Sequence, residues 1–473
     1  MKQDEALDIL KSGYNVFLTG PPGSGKTFLL NEYIKYLRKN HVAVSVTAST
    51  GIAATHMGGT TLHSWSGLGI REELNEQEVK EICKKGYVRK KIKNTNILII
   101  DEISMIKASQ FEAVNKICQY IRRSARPFGG LQVVCSGDFF QLPPVYKNDK
   151  PLDNTQNETA QKSLGFAQDK VPLFITDSQA WKSLEIKVCY LDEQHRTKDK
   201  ELHKILNHIR DNEAEKSREL LFCSQNNVAG PEQSRRIREP YPEQSRRIRN
   251  FTKLYTHNVD VDSINYAELS KIKGKEFNYQ MVLRGNPIVA EILKKSCLAP
   301  EKLVLKEGAH VMFIKNNFEA GYVNGTQGKI IGFGAGNLPI VKTEDGKRIT
   351  VKYADWTIDE DNSIVAGISQ MPLRLAWAIT VHKSQGMNLD SAEIDLSKCF
   401  LEGMGYVALS RLRSLSGLRL MGINNLAFCV NPKALEVDKN FKKLSKQSSA
   451  ELKKAGASAT AKRQKLFIKY LCS

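Results

Sequence analysis

Residues 20–27 have the composition and spacing of a loop that binds the phosphates of a nucleotide. They follow an apolar run and precede an apolar-periodic one, and the candidate ligands are Gly20, Gly23, Ser24, Gly25, Lys26 and Thr27. Glycines let such a backbone turn tightly and point successive N–H groups at one anion. Lys26 would reach the β- and γ-phosphates, and Thr27 would offer its hydroxyl to Mg²⁺. The alternative is a glycine-rich turn with a solvated lysine.

Two acidic residues, Asp101 and Glu102, come directly after the apolar residues 97–100. Consecutive apolar residues that end in acids are typical of a buried parallel strand whose carboxyl end meets a ligand. Asp101 would hold Mg²⁺, usually through water, and Glu102 would orient and deprotonate an attacking water. An isolated Asp-Glu pair is a weak signal, but downstream of a phosphate loop it predicts nucleotide hydrolysis.

Three further side chains could act on the γ-phosphate. Gln141 follows another predicted strand, where its amide could sense that phosphate or simply order the loop. Arginines speed such reactions by neutralising charge on the transferred phosphoryl group, and the candidates are Arg196 and Arg411. Both belong to the second half of the chain, so they complete the site only if two domains close on ATP. Either could instead be a surface arginine.

The elements that would position these residues alternate between strand and helix. Apolar runs lie at 16–19, 41–48, 97–100 and 131–135, with helical periodicity at 28–37 and 111–121 between them. This alternation predicts a doubly wound parallel sheet. A second αβ series begins near residue 191, includes 253–256 and resumes at 373–381. The chain of 473 residues is too long for one ordinary core, so we expect at least two domains.

Two stretches differ from this alternation. Residues 299–371 form short strand patterns separated by Gly and Asn turns, which predicts a small antiparallel barrel inserted into the second sheet domain. Residues 431–473 contain 11 Lys/Arg and 3 Asp/Glu, which predicts a weakly helical or disordered, solvated tail. The expected domains are 1–190 with a small insertion at about 65–95, 191–298 plus 372–430, the insertion 299–371, and the basic tail 431–473.

Composition limits the partners and the compartment. A net charge of +19 favours a polyanionic partner, although a basic surface can also serve solubility alone. The nine cysteines form no Cys-x-x-Cys pair, which argues for reduced thiols and against a structural zinc. The N-terminus lacks the apolar core of a secretory signal, and no run approaches the length of a membrane span. We therefore expect a cytoplasmic protein, nucleoid-associated if bacterial, with no membrane partner.

An arginine-rich segment is repeated in the second half of the chain. Residues 231–238 recur as 242–249. Two copies are too few to stack as a solenoid, and proline and charge favour an exposed loop, where a long insertion has little effect on stability. The arginines could touch nucleic acid, but a neutral insertion is the preferred interpretation.

Taken in order along the chain, the motifs resemble those of the Pif (petite integration frequency) DNA helicases of superfamily one, relatives of RecD. The resemblance is carried by Gln3, 20–27, 47–54, 59–64, 100–105, 137–144, Arg196, 323–325, 378–386 and 406–411. Residues 126–132 resemble the signature that separates this family from RecD itself. Together the motifs extend from residue 3 to about 425, and such an ordered set is highly specific.

The resemblance implies an α/β fold of two RecA-like doubly wound parallel-sheet domains, with a small SH3-like β-barrel insertion in the second at 299–371. ATP would occupy the cleft between the domains, with Gln3 reading adenine, and single-stranded DNA would cross their tops. The implied DNA-contacting residues are Thr47, Thr50, Thr60, His63, Thr380, His382 and Lys383, together with Asn258.

The resemblance therefore predicts an ATP- and Mg²⁺-dependent DNA helicase that moves 5′ to 3′ on single strands. Expected partners are single-stranded DNA and 5′-tailed duplex or forked DNA, and expected roles lie in repair, recombination, replication or telomere maintenance. We expect a monomer in the absence of DNA. The alternatives are a DNA-stimulated ATPase that separates no strands and a basic scaffold with a vestigial phosphate loop.

Two features depart from the family pattern. The chain begins close to Gln3, so we expect the regulatory N-terminal region of longer relatives to be missing. The arginine-rich repeat at 231–249 interrupts the second domain, where it could disturb domain closure or add DNA affinity.

Overall fold

A computed structural model describes most of the 473 residues. The described residues are 1–69, 71, 73–144, 174–193, 199–226, 252–297, 299–315, 317, 319–322, 325–343, 345–360, 363–387, 389 and 391–472. Arg196 and the repeat at 231–249 lie outside them.

The helices and strands alternate through most of the chain. The helices are α1 (Gln3–Lys11), α2 (Lys26–Lys39), α3 (Gly51–His56), α4 (Leu62–Ser66), α5 (Glu76–Lys84), α6 (Gly86–Lys93), α7 (Ala108–Arg122), α8 (Gln179–Ser183), α9 (Lys200–Arg210), α10 (Ala214–Asn226), α11 (Asn258–Lys271), α12 (Pro287–Ser296), α13 (Met404–Leu409) and α14 (Pro432–Cys472). The strands are β1 (Val16–Thr19), β2 (Val44–Ala48), β3 (Thr60–Thr61), β4 (Ile97–Asp101), β5 (Gln132–Gly137), β6 (Lys187–Tyr190), β7 (Thr252–Tyr255), β8 (Phe277–Gln280), β9 (Val282–Gly285), β10 (Lys302–Leu305), β11 (His310–Phe313), β12 (Gln327–Phe333), β13 (Pro339–Thr343), β14 (Arg348–Thr350), β15 (Ala354–Glu360), β16 (Ser363–Gln370), β17 (Leu373–Leu375), β18 (Ala378–Thr380), β19 (Ala392–Leu396) and β20 (Leu418–Ile423).

The first parallel sheet has six strands in the order β3-β2-β4-β5-β1-β6. The first four residues of its strand β4 are apolar because helices cover both faces of the sheet. Ile97 and Ile99 pack into the core that contains the buried side of α2, whereas Leu98 and Ile100 pack into the core that contains α7. We call this sheet and its helices the first lobe. It confirms the doubly wound arrangement predicted from the sequence.

The second parallel sheet has four strands in the order β18-β7-β19-β20. Leu254, Ile379 and Ile394, one from each of β7, β18 and β19, share a single hydrophobic core, and α9 and α13 contribute to it. We call this sheet and its helices the second lobe. Two parallel sheets on one chain confirm the predicted α/β class.

Between β7 and β18 the chain builds antiparallel sheets. Five strands pair in the order β14-β13-β12-β11-β17, three in the order β15-β16-β9, and β10 pairs with β8. Phe313, Val341 and Leu373 of the five-stranded sheet share a core with Tyr279 of β8 and Leu303 of β10. Strands β8 and β9 precede residue 299 and β17 follows residue 371, so these sheets draw on residues beyond the predicted insertion. Its SH3-like character stays a prediction.

The C-terminal segment differs from the predicted tail, because α14 is a long helix that packs against the first lobe. Phe441 is buried, with its ring 4.8 Å from that of Phe17. The guanidinium of Arg463 lies 3.9 Å from the ring centre of Tyr14. The helix bends at Gly456, where φ is 77°. The lysine excess misled the prediction, because lysines can occupy the exposed side of a helix that is anchored by a few apolar residues.

All nine cysteines are free in the described part of the chain, and burial raises the pKa of the Cys135 thiol well above its usual range. A buried thiol with a raised pKa is unreactive. The helices within the described ranges include none that is both long and apolar enough to cross a bilayer.

Candidate functional site

The phosphate loop joins β1 to α2 and requires glycine at specific positions. Gly23 and Gly25 have φ values of 87° and 86°, in the left-handed region that other residues rarely adopt. A Cβ atom at Gly20 would lie 2.4 Å from the carbonyl oxygen of Leu191. Helix α2 starts at Lys26, so the loop presents backbone N–H groups at a helix N-terminus.

The polar side chains of this loop fit a nucleoside triphosphate. The Lys26 ammonium donates to the carbonyl oxygens of Gly20 and Pro21 at 2.7 and 3.1 Å, which holds it over its own loop. Among the described residues, the buried Ser24 hydroxyl has no hydrogen-bond partner. Gln3 donates to the carbonyl oxygen of Ser24 at 3.4 Å, so the candidate adenine reader touches the phosphate loop. Phosphate oxygens would supply acceptors to Lys26 and Ser24 together.

The acidic pair lies at the end of β4, which β5 separates from β1 in the same sheet. Asp101 ends β4, and Glu102 has left-handed backbone angles of 51° and 47°, a strained conformation for this residue type. Burial raises the pKa of Asp101, against the lowering effect of the nearby Ser136 hydroxyl and Lys26 charge. Burial, then the charge of Asp101, raises the pKa of Glu102 to about 7. A carboxyl group with a pKa near neutrality is suited to act as a general base.

This raised pKa gives a pH-dependent prediction. A base works only as the carboxylate, so kcat/KM for ATP should rise with pH through about 7 and fall roughly tenfold from pH 8 to pH 6. A glutamate with its ordinary pKa would be ionised throughout this range and the profile would be flat. This rise of kcat/KM with pH reports the titration of Asp101 and Glu102 as a pair, because the two carboxyl groups interact.

The measurement is phosphate release at a constant concentration of the Mg²⁺–ATP complex. The affinity for a labelled single strand, determined at the same pH values, controls for a loss of DNA binding. A profile that stays level between pH 6 and pH 8 would contradict the assignment of Glu102 as the base.

A residue of the second lobe reaches both Glu102 and Gln141. The amide nitrogen of Gln385 donates to a carboxylate oxygen of Glu102 at 3.1 Å and to the amide oxygen of Gln141 at 3.3 Å. Gln385 was not predicted as a site residue, although it lies within residues 378–386, one of the motifs that carry the family resemblance. Its position just past the end of β18, at the carboxyl edge of a parallel sheet, is the signal that could have identified it.

Arg411 also belongs to the second lobe and lies near the acidic pair. Its positive charge lowers the pKa of Glu102, although burial of that carboxyl group dominates. Its side chain is 1% exposed and donates to the carbonyl oxygen of Val407 at 3.0 Å and to the hydroxyl of Ser410 at 2.8 Å. The guanidinium is thus fixed just after α13. The other predicted arginine, Arg196, lies outside the described residues.

The candidate DNA contacts gather at the carboxyl ends of the parallel strands. Thr50 follows β2, Thr60 is exposed on β3, His63 lies on α4 and His382 follows β18. Burial lowers the pKa of both histidines, so each is mainly neutral at pH 7 and would contact DNA by hydrogen bonds or stacking.

Two of the predicted DNA contacts are buried, and two others have side chains outside the described residues. Thr47 is fully buried and its hydroxyl donates to the carbonyl oxygen of Ile99 at 2.7 Å, so its side chain does not face solvent. Thr380 is 2% exposed, with the same consequence. The backbone of Asn258 begins α11, but its side chain and that of Lys383 lie outside the described part.

An exposed aromatic residue stands beside His382 and His257 and was not predicted. Phe400 is 41% exposed, and its ring centre lies 4.8 Å from that of His257 and 6.4 Å from that of His382. Exposed aromatic rings are common stacking platforms for the bases of single strands. A lone phenylalanine in a polar loop carries no such signal in sequence, since most phenylalanines are core residues.

Two family models match this chain. Residues 3–219 match the model of the PIF1-like helicases, and residues 289–333 match that of the 2B domain of DNA helicase Pif1. The first match contains the phosphate loop, the acidic pair and Gln141. The second begins in α12 and ends in β12, within the region of antiparallel sheets.

Whole proteins are similar as well. The chain is 42% identical to the ATP-dependent DNA helicase Pif1 of Psychrobacter sp., over 94% of this chain and 71% of that protein. It resembles the crystal structure of Pif1 helicase from Candida albicans with a TM-score of 0.73 and 33% identity, covering 93% and 98% of the two chains. It also resembles Pif1 helicase from Bacteroides in complex with ADP-AlF3 and ssDNA, with a TM-score of 0.63 and 28% identity, covering 93% and 96%.

Proposed function

Because this chain belongs to the PIF1-like helicase family and is an ATP-dependent DNA helicase, we propose that it moves 5′ to 3′ on single-stranded DNA by closing and reopening its two lobes. The observation that carries the lobe mechanism is the contact of Gln385 with both Glu102 and Gln141. One side chain of the second lobe thereby joins the candidate base and the candidate phosphate sensor of the first.

Each candidate residue has a role in ATP hydrolysis. The phosphate loop and Lys26 hold the triphosphate, and Glu102 takes a proton from the attacking water. Gln141 and Gln385 orient that water and the γ-phosphate, and Arg411 neutralises the charge that develops during transfer. These roles are supported by the convergence of five groups at one cleft between the lobes. The groups are the phosphate loop with Lys26, Glu102, Gln141, Gln385 and Arg411.

A magnesium ion also fits this cleft. Thr27 is exposed in the first turn of α2, and Asp101 ends β4, two strands away from β1 in the sheet. Hydroxyl and carboxylate oxygens, completed by water and phosphate, are the ligands that Mg²⁺ prefers. Bound there, the ion would neutralise charge on the β- and γ-phosphate oxygens.

Movement follows from the different affinity of the two lobe arrangements for ATP. Arg411 and Gln385 contact the nucleotide only when the lobes are closed, so ATP favours closure and hydrolysis releases it. In each cycle the grip on the strand shifts between the first-lobe contacts, Thr50, Thr60 and His63, and the second-lobe contacts, His382 and Phe400. The proposed domain limits are 1–190, 191–298 with 372–430, the SH3-like 299–371, and α14 as an addition to the first lobe.

The proposed DNA partners follow from the surface that these DNA contacts form. Its side chains read no bases in a groove, so binding should be independent of sequence and strongly dependent on salt. We propose single strands, 5′-tailed duplexes and forks as substrates, a monomer when DNA is absent, and a cytoplasmic location. Repair, recombination, replication or telomere maintenance are the proposed processes.

A tailed-duplex assay tests this proposal. The substrate is a fluorescent duplex with either a 5′ or a 3′ single-stranded tail, and a blunt duplex of the same sequence is the control. We expect strand separation with ATP from the 5′-tailed substrate alone. Unwinding from the 3′ tail would overturn the polarity. Phosphate release stimulated by single strands, without unwinding of either duplex, would identify a translocase instead.

A further inference from the structure

A buried arginine outside the nucleotide site connects the two lobes. Arg210, the last residue of α9, is 6% exposed. Its guanidinium donates to both carboxylate oxygens of Asp138, at 3.0 and 2.9 Å, and to a carboxylate oxygen of Asp438 at 3.2 Å. It also donates to the hydroxyls of Tyr406 and Tyr190 at 2.7 and 2.9 Å. We call these five residues the Arg210 cluster.

The members of the cluster come from distant parts of the fold. Asp138 and Tyr190 lie at the carboxyl ends of β5 and β6 in the first lobe, and Asp438 lies on α14. Tyr406 lies on α13 of the second lobe, and Arg210 ends α9, whose apolar side packs in the second-lobe core. One guanidinium therefore ties two first-lobe strand ends and α14 to two helices of the second lobe.

The charged groups of the cluster are buried, and Lys442, outside it, balances the second of its two carboxylates. Asp138 is 1% exposed, and Asp438 makes a second ion pair with Lys442 at 2.8 Å. Burying ions that are this well paired adds little net stability, whereas removing one partner is strongly destabilising. Such a cluster is thus better suited to fix one arrangement of the parts than to add stability.

The part fixed nearest to the nucleotide site is α13. Tyr406 donates to Asp138 at 3.2 Å and accepts from Arg210, and Arg411 follows just beyond the end of the same helix. Before the helix, Gly403 has a φ of 82°, and a Cβ atom there would lie 2.8 Å from the carbonyl oxygen of Phe140. The start of α13 therefore lies directly on the backbone that leads into Gln141.

We propose that the Arg210 cluster is a positioning device for hydrolysis: through the Tyr406 hydroxyl it holds α13 in register with the first lobe, and so sets where Arg411 meets the γ-phosphate. Arg210 and Tyr406 are positioning residues, since neither touches the nucleotide loop. The inference rests on the proposed function, because it requires ATP to be hydrolysed between the lobes.

Replacing Arg210 itself would leave two buried carboxylates without their shared partner and would destabilise the fold. The test therefore uses two matched variants, Tyr406→Phe and Tyr190→Phe. Each removes one buried hydroxyl from the same guanidinium, but only Tyr406 lies on the helix that leads to Arg411. Thermal unfolding should report similar, small losses of stability for both.

Single-strand-stimulated phosphate release separates the two variants. In Tyr406→Phe we expect kcat to fall about tenfold, with KM for ATP and DNA affinity within about twofold of the unmodified chain, because a small misplacement of a catalytic group has a large effect on rate. In Tyr190→Phe we expect kcat to stay within about twofold. Equal losses of kcat in the two variants would overturn the proposal, as would an unchanged kcat in Tyr406→Phe.

A double-variant cycle tests whether Tyr406 acts through Arg411. Groups that act as a unit are not additive, so adding Tyr406→Phe to Arg411→Lys should lower kcat no further. Independent, multiplying losses would contradict positioning through Arg411. An unmodified chain that shows no DNA-stimulated phosphate release would instead overturn the proposed function, and the inference with it.

Discussion

In the Lys26→Ala variant we expect kcat for ATP hydrolysis to fall by about a thousandfold, while affinity for single-stranded DNA stays within about twofold. The Lys26 ammonium lies over the phosphate loop, 2.7 Å from the carbonyl oxygen of Gly20, where it would meet the transferred phosphate. The candidate DNA contacts lie on other strand ends and do not involve this side chain. Nucleotide chemistry and DNA binding should therefore separate.

The measurements are phosphate release with saturating single strands and fluorescence anisotropy of a labelled oligonucleotide. Lys35→Ala is the matched control, because Lys35 lies on the same helix with an exposed side chain that pairs with Glu32 at 2.7 Å. It should retain full activity. Loss of DNA binding in Lys26→Ala would mean that the phosphate loop and the DNA face are not separate parts.

The second large effect is expected at Arg411. In Arg411→Ala we expect kcat to fall by about a thousandfold with little change in KM for ATP, since an arginine that acts on the transition state contributes chiefly to kcat. Arg411→Lys keeps the charge but loses the planar fork, so its kcat should lie between those of the alanine variant and the unmodified chain. Because Arg411 is buried, replacing it can disturb folding. The lysine variant, which keeps the charge, checks for this effect.

Arg413→Ala provides the control for Arg411, because Arg413 is exposed in the same segment. It should leave kcat unchanged. Circular dichroism and thermal unfolding show whether each variant is folded. A folded Arg411→Ala variant that hydrolyses ATP at the normal rate would remove the second lobe from the chemistry.

The parts of the site that are local in sequence could be predicted from it. The phosphate loop needs glycines at fixed offsets and a helix immediately after Lys26, and both are visible as residues 20–37. The pair Asp101–Glu102 ends an apolar run, and this pattern is typical of a buried parallel strand whose carboxyl end is functional. Parallel-sheet architecture followed from the same alternation of apolar runs.

Contacts between distant residues could not be predicted in the same way. Gln385 meets Glu102 and Gln141 only because the carboxyl ends of two separate sheets face each other. The Arg210 cluster joins residues that have no shared spacing or periodicity, so nothing in the sequence marks Arg210 among the chain's many basic residues. Its partners are set by how the lobes pack.

The burial of individual side chains could not be predicted from composition either. Thr47 lies in a motif associated with DNA, yet it is fully buried and its hydroxyl donates to the carbonyl oxygen of Ile99 on the adjacent β4. In α14 the buried Phe441, Ser445 and Ser448 recur at helical spacing beneath a lysine-rich exposed side. That spacing was present in the sequence, but the net charge suggested a solvated tail.

The most direct test of the account is a structure of the chain bound to ADP, aluminium fluoride and a single strand of DNA. We expect the lobes to close on the nucleotide, with the Arg411 guanidinium and the Gln385 amide within hydrogen-bond distance of the fluoride ligands or the attacking water. A complex that holds the nucleotide in the phosphate loop while both second-lobe groups stay out of reach would contradict it.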